Sequence, residues 1–279
     1  MKIALRPSLF LSLILCALFQ PRAHAAAHFR KVLIIIFENT NYSDALSQPF
    51  FKKVAADGAL LTNFYAELHP SQGNYVGLIS GDTHGVRDDG NYNVSAKNIA
   101  DLLETKGLTW KAYAEGYPGG CFTGATKRRY ARKHVPFISF TDITTNKTRC
   151  ANITDEKQFD ADVAANNLPN YSLYVPDLYN DGHDTGVAYA DKWFGKKFGP
   201  LFADPDFMKD TLVIVTFDES GGNGGNHIYT SLLSPGIAPH TEVSMHYDHY
   251  SLLRLVEDEF KLGDFGLQDA MARAPDVWK

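Results

Sequence analysis

The sequence predicts an α/β fold, a three-layer sandwich with a mostly parallel central sheet. Three observations carry that expectation. Residues 31–37 (KVLIIIF) and 212–217 (LVIVTF) are near-continuous apolar runs rich in β-branched residues, the pattern of strands buried on both faces. Helical stretches alternate with the strands. No Pro/Ser-rich linker or composition break divides the chain, and 44% hydrophobic content is enough for one substantial core.

In chain order, the strand 31–37 is followed by a helix over 49–56 that Gly58 stops. A strand over 60–65 leads into a helix opened by Ser71. Ser95 caps a further helix over 96–106, ended by Gly107, and 109–114 is the next strand. Residues 172–175, 212–217 and 228–233 read as strands, with a helix near 187–202 and a last one over 250–261.

The N-terminal residues read as a processing segment. Lys2 and Arg6 precede an apolar run over 9–19, and Ala23-His24-Ala25 has the small-x-small pattern of a signal-peptidase site. That run is shorter than the roughly 20 apolar residues of a transmembrane span, and no later segment approaches that length. Residues 1–25 are therefore expected to be a signal peptide and 26–279 a single exported domain, secreted or periplasmic, without stable membrane insertion. Cleavage removes Lys2, Arg6 and Arg22 and takes the formal charge from −5 to −8, a balance that gives no support to nucleic-acid binding.

Cys16 leaves with that segment. Cys121 and Cys150 remain, and in an oxidising compartment an even pair reads as a disulfide closing a loop of about 30 residues. A two-cysteine metal site is the weaker alternative. Asn-x-Ser/Thr sequons begin at Asn41, Asn93, Asn146, Asn152 and Asn170 and matter only in a host that glycosylates.

Ligands of parallel sheets bind at the carboxyl ends of strands. Two strands here end in acid: KVLIIIFEN delivers Glu38 and Asn39, and TLVIVTFDE delivers Asp218 and Glu219. Each alone is the polar residue expected where a buried strand surfaces. Together they aim three carboxylates and an amide at one sheet edge, where they repel one another unless a cation lies between them. Ser71, in ELHPSQGNY, is either a helix N-cap or a nucleophile at that same edge, with its hydroxyl activated by the cation.

Among the histidines, His134 (RKHVPF), His183 (NDGHD) and His249 (YDHYS) lie in loops or at element starts, where catalytic side chains concentrate; the bland alternatives are a solvated basic patch with Arg132 and Lys133 for His134, an exposed histidine in a tight Asp-Gly turn for His183, and a residue just ahead of the last helix for His249. The glycine run 221–225 lacks the Lys-Ser/Thr ending of a phosphate loop. A serine acyl hydrolase is disfavoured, because no Gly-x-Ser-x-Gly elbow surrounds Ser71 and position 74 is Asn, not the Lys of a Ser-x-x-Lys pattern.

The motifs FENTNY (37–42), HPSQGNY (69–75), YARKHVPF (130–137), DGHD (181–184), FDES (217–220) and YDHYSLL (247–253), in this order, resemble the acid phosphatase and phospholipase C phosphoesterases of the alkaline phosphatase superfamily. YARKHVPF looks closest to the fungal-type secreted acid phosphatases. The resemblance spans nearly the whole chain after residue 25. It implies an alkaline-phosphatase-like fold, a metal held by Glu38, Asn39, Ser71, Asp218 and Glu219, and transient phosphorylation of Ser71. It further implies that His134 and His183 hold the phosphoryl oxygens, with Asn39, Lys133 and His249 at the substrate. Some members carry Asp where Glu219 stands, and larger ones carry insertions or C-terminal domains for which this chain has no room.

Oxygen-only ligands favour Mg2+, Mn2+ or Ca2+ over Zn2+ as the single divalent ion. The expected function is a secreted metal-dependent phosphomonoesterase acting on a small phosphorylated substrate. The alternatives are phospholipase C or another phosphodiesterase, and an exported metal- or phosphate-binding protein without turnover. Oligomeric state is left open by the sequence.

Overall fold

Residues 27–222 and 224–279 are described by the computed structural model, so the signal peptide expected over 1–25 lies outside them. The strands are β1 (Lys31–Phe37), β2 (Ala59–Leu61), β3 (Trp110–Ala114), β4 (Thr126–Lys127), β5 (Tyr130–Ala131), β6 (Ile153–Thr154), β7 (Tyr171–Val175), β8 (Thr211–Phe217), β9 (Thr230–Leu233) and β10 (Thr241–Val243). Among the described residues eight of them form one sheet in the order β10-β2-β9-β8-β1-β7-β3-β6, and β4 and β5 form a separate ribbon. β9 runs antiparallel to β8 and β2, and the other pairings in the sheet are parallel.

The two apolar runs occupy the middle of the sheet. Every residue of β1 after Lys31, and all of β8, is buried. Their register places Phe37 opposite Phe217. Because the strands are parallel, Glu38 and Asp218 then leave the sheet side by side at the same edge, and the Asp218 N–H donates to the Phe37 carbonyl at 2.9 Å.

Helices cover both faces. The principal ones are α1 (Pro49–Asp57), α2 (Gln72–Ser80), α3 (Ile99–Thr105), α4 (Glu156–Ala164), α5 (Val187–Phe202), α6 (His249–Phe260) and the short α7 (Gln268–Met271). The Phe37 ring packs on Phe51 of α1 and on Trp193 and Phe194 of α5. Alternation along the strand turns the next side chain, Glu38, to the opposite face, where Tyr75 of α2 meets it. α2 packs on α6 on that side. Gly73 lets the segments on either side of α2 close on the helix, since a Cβ would stand 2.9 Å from the Leu68 methyls and 3.0 Å from the Val86 carbonyl oxygen.

Several boundaries differ from the sequence expectation. The strand 60–65 is only β2, with Phe64 and Tyr65 joined by isolated bridges to Tyr247 and His227. The helix expected from Ser95 begins at Ile99, because Asn98 and Asp101 form a reciprocal capping box. The last helix starts at His249, capped by Asp248. Residues 121–164 hold short turns, β4 to β6 and α4 rather than long periodic elements, and Cys121 and Cys150 are disulfide-bonded with Cα atoms 5.7 Å apart. No helix among the described residues is long and apolar enough to cross a membrane.

Candidate active site

Ser71 sits at the N-cap position of α2 but makes no side-chain capping bond. Its backbone is already helical, with φ −40° and ψ −55°, whereas a capping residue is ordinarily extended. The hydroxyl instead donates toward Glu38 Oε2 at 3.2 Å and Glu219 Oε1 at 3.3 Å. The helix start and the two strand ends thus meet as the sequence reading expected. The approach to Ser71 is fixed by Asn74, whose Oδ1 accepts from the N–H groups of Glu67 and Leu68 and whose Nδ2 donates to the Leu68 carbonyl.

Glu38, Ser71, Asp218 and Glu219 are each at most 2% exposed. Glu38 accepts from the Tyr75 hydroxyl at 2.5 Å. Asp218 Oδ1 accepts from the Asn39 N–H at 3.0 Å, and Asp218 Oδ2 has no hydrogen-bond partner among the described residues. Burial raises all three carboxyls above the ordinary range, and the neighbouring acids push Glu38 and Asp218 further up. A cluster this dry cannot hold three negative charges without protons or a cation to offset them.

The predicted histidines separate into three settings. His134 is buried, stacks on Tyr75 with ring centroids 5.3 Å apart, and places Nε2 3.1 Å from Glu38 Oε1 and Nδ1 3.5 Å from Asp181 Oδ2. Burial, reinforced by Lys133 and His183, pushes its pKa well below the usual imidazole value. His183 lies 6.1 Å from it by ring centroids and is one-third exposed, at the mouth of the cluster. Its backbone N–H donates to Asp181 Oδ1, and its Nδ1 is paired with Asp184.

His249 is not presented to a substrate, contrary to the sequence expectation. It is fully buried, with Nδ1 2.6 Å from Glu67 Oε2 and Nε2 2.9 Å from the Phe217 carbonyl oxygen. It braces the end of β8 directly before Asp218. Asn39 also departs from expectation as a metal and substrate ligand: the residue is exposed, with φ +37°, and joins the cluster only through its backbone N–H. Lys133 is held by Asp89 at 2.7 Å.

Sequence reasoning passed over several members of the site. Tyr75 lies four residues past Ser71, on the same helix face. Asp181 stands inside the DGHD motif, and Glu38 N–H donates to its carbonyl at 3.1 Å. His69, half exposed, pairs through Nδ1 with Glu219 Oε2 and links that carboxylate to solvent. A cleft of about 640 Å³, lined by Arg30, Lys31, Asp210 and Thr211 among others, opens at the opposite edge, where β1 and β8 begin, and contains none of these residues.

The donor set suits a hard cation by type. Glu38, Asp218, Glu219 and the Ser71 hydroxyl are all oxygen donors, and the unpartnered Asp218 Oδ2 is a buried lone-pair site that a cation would satisfy. As the side chains stand, no group of three or more His, Cys, Asp or Glu among the described residues is drawn together as a metal cage. Apart from Asp218 Oδ2, their carboxyl oxygens are engaged by Ser71, Tyr75, His69 and the Asn39 N–H instead.

Comparison with known proteins agrees with the motif order. The Phosphoesterase family model matches residues 38–263, from Glu38 to beyond α6, and the chain belongs to that family. It is 37% identical to a probable acid phosphatase of Kluyveromyces lactis over 90% of this chain and 63% of that protein. It is 34% identical to an acid phosphatase of Aspergillus fumigatus over 89% of this chain and 59% of that one. The chain therefore spans about three fifths of these fungal relatives. A phosphatidylinositol-3-phosphatase of Mycobacterium tuberculosis is 30% identical over 92% of this chain and 85% of its own length.

Among solved structures, an alkaline phosphatase superfamily protein from Vibrio parahaemolyticus superposes with a TM-score of 0.62 at 13% identity, over 89% of this chain and 70% of that one. A phosphonate monoester hydrolase of Agrobacterium radiobacter gives 0.59 at 14% identity, over 90% and 79%. The fold is that of the superfamily.

Proposed function

We propose that the chain hydrolyses phosphate monoesters through a phosphorylated Ser71. The observation that carries this reading is the Ser71 hydroxyl, released from helix capping and aimed at Glu38 and Glu219. The names of the fungal and mycobacterial relatives support a monoester substrate.

In this reading the phosphoryl group enters past His69 and His183, the partly exposed side chains at the cluster. Ser71 Oγ attacks phosphorus, the ester P–O bond breaks opposite it, and the Oγ–P bond forms. The hydroxyl proton leaves along the hydrogen bond to Glu219 and on to His69. His183 donates a proton to the departing alkoxide, which leaves as the alcohol. His134 holds a phosphoryl oxygen through a ring N–H, and the Lys133 ammonium offsets phosphoryl charge. Water then attacks the phosphoserine, giving its proton to His183, and inorganic phosphate leaves as Ser71 Oγ is reprotonated.

A divalent cation would be held by Glu38, Asp218 and Glu219 with the Ser71 oxygen; Mg2+, Mn2+ or Ca2+ match these donors better than Zn2+. When bound, it supplies positive charge that lowers the hydroxyl pKa and offsets charge on the phosphoryl group. Residues 26–279 are read as one domain, exported by the leader at 1–25, in keeping with the Cys121–Cys150 disulfide.

The test is turnover of p-nitrophenyl phosphate and bis(p-nitrophenyl) phosphate by wild type and Ser71→Ala, each with and without a chelator. Monoester turnover that Ser71→Ala abolishes is expected. Turnover of the diester alone, or full activity in Ser71→Ala, overturns the reading.

A further inference from the structure

The residue that caps α2 is Asp89, eighteen positions downstream of Ser71. The Gln72 N–H, at the first turn of the helix, donates to Asp89 Oδ1 at 3.2 Å, while Asp89 Oδ2 pairs with Lys133 Nζ at 2.7 Å. The same carboxylate therefore touches both the helix that carries Ser71 and the turn that carries His134.

The segment holding Asp89 is itself fastened to that turn. Arg132, buried and adjacent to Lys133, donates from Nη2 to the Tyr92 carbonyl at 2.6 Å and the Ile138 carbonyl at 3.2 Å. The Val94 N–H donates to the Ser139 carbonyl at 2.7 Å. The segment that carries Asp89 is thus tied to this turn at Tyr92 and Val94, and Asp89 itself by Gln72 and Lys133.

The chemistry explains the substitution. A serine that caps its own helix turns its oxygen toward the N–H groups of the first turn, which a nucleophile at this place cannot do. A carboxylate supplied from elsewhere meets the helix start with a full negative charge, which the helix dipole favours. That charge would repel an incoming phosphoryl group, and Lys133 neutralises it. Lys133 in turn loses most of its freedom, being only one-fifth exposed.

We propose that Asp89 is the positioning residue of this site: it takes over the cap of α2, leaving the Ser71 hydroxyl free to face Glu38 and Glu219, and it fixes the Lys133 ammonium beside the place of the phosphoryl group. The proposal rests on the function read above. Asp89 itself touches neither substrate nor the reacting atoms.

The experiment compares Asp89→Asn, Asp89→Ala, Lys133→Met and the Asp89→Asn/Lys133→Met double variant. Readouts are kcat and KM on p-nitrophenyl phosphate, the thermal midpoint, and the rate at which Lys133 is acetylated by acetic anhydride, followed by peptide mass spectrometry. Asp89→Asn keeps an oxygen for the Gln72 N–H, so its thermal midpoint stays at the wild-type value while kcat falls about tenfold or more. Lys133→Met loses a similar factor, the double variant loses no more than either single one, and Lys133 acetylation in Asp89→Asn rises severalfold. Asp89→Ala loses further activity and also unfolds earlier. Wild-type kcat in Asp89→Asn, losses that multiply in the double variant, or unchanged acetylation overturns the proposal. If the wild type turns over no phosphate ester, the functional reading fails, while the acetylation comparison still reports on the Asp89–Lys133 tether.

Discussion

Ser71 Oγ lies 3.2 Å from Glu38 Oε2, although β9 and β8 separate β2, which precedes Ser71, from β1, which delivers Glu38. The contact is made at the sheet edge, where the turn after β2 crosses to the end of β1. Ser71 is therefore bound to the cluster by its hydroxyl and not to its own helix.

Ser71→Ala is expected to abolish turnover and to leave stability within about 1 kcal/mol of wild type, because the cap it would otherwise remove is supplied by Asp89. Thermal unfolding checks the second half. A loss near 2 kcal/mol would restore the capping role to the hydroxyl.

Glu38→Gln and Asp218→Asn are expected to lose affinity for Mn2+ together with activity, since each removes a charge from the oxygen donor set. Isothermal calorimetry with Mn2+ measures the first and p-nitrophenyl phosphate turnover the second. Undiminished activity after chelation of the wild type contradicts a metal role.

His249→Ala should destabilise the fold by about 3 kcal/mol, because it leaves Glu67 without its partner and frees the Phe217 carbonyl at the end of β8. The strand end before Asp218 loses its brace, so kcat falls as well. Chemical denaturation and kinetics on the same sample test both. A variant with lowered KM-based affinity alone and wild-type stability would return His249 to a substrate-binding role.

Stability should fall as pH rises, through a pair remote from the site. Glu257 on α6 is buried near Asp269, and neither of its carboxyl oxygens has a hydrogen-bond partner among the described residues. Burial, with Asp269 adding to it, pushes the Glu257 carboxyl up to about 9 against an ordinary 4.5, while Arg254 pulls the other way and Asp264 adds to the rise. The unfolded chain gives up this proton first, so the stabilisation is complete below pH 4.5 and is lost progressively up to pH 9. The effect is on the order of a few kcal/mol. Glu257→Gln should flatten the pH dependence of the unfolding free energy across that window; an unchanged slope contradicts the assignment.

How much of this was legible in the sequence follows from what makes each feature. β1, β8 and α5 were readable because long apolar runs and helical periodicity are local, and once both runs are central parallel strands their acidic ends must share an edge. Glu38, Asp218, Glu219 and Ser71 came from that logic. Asp181, Tyr75, His69, Glu67 and Asp89 were not read, because their roles depend on how the turns 62–70, 81–98 and 176–186 fold over the edge, and turns carry no period. The helix start at Ile99 was present in the sequence as Asn98 and Asp101, a capping box passed over for Ser95. The motifs point His249 and Asn39 to the substrate, whereas burial of the one and the backbone direction of the other give each a different task.

The most direct test of Ser71 as nucleophile is an acid quench during turnover of a phosphate monoester labelled with radioactive phosphorus, followed by peptide mapping. The account predicts label on the peptide containing Ser71 and none in Ser71→Ala; steady turnover with label absent from that peptide would contradict it.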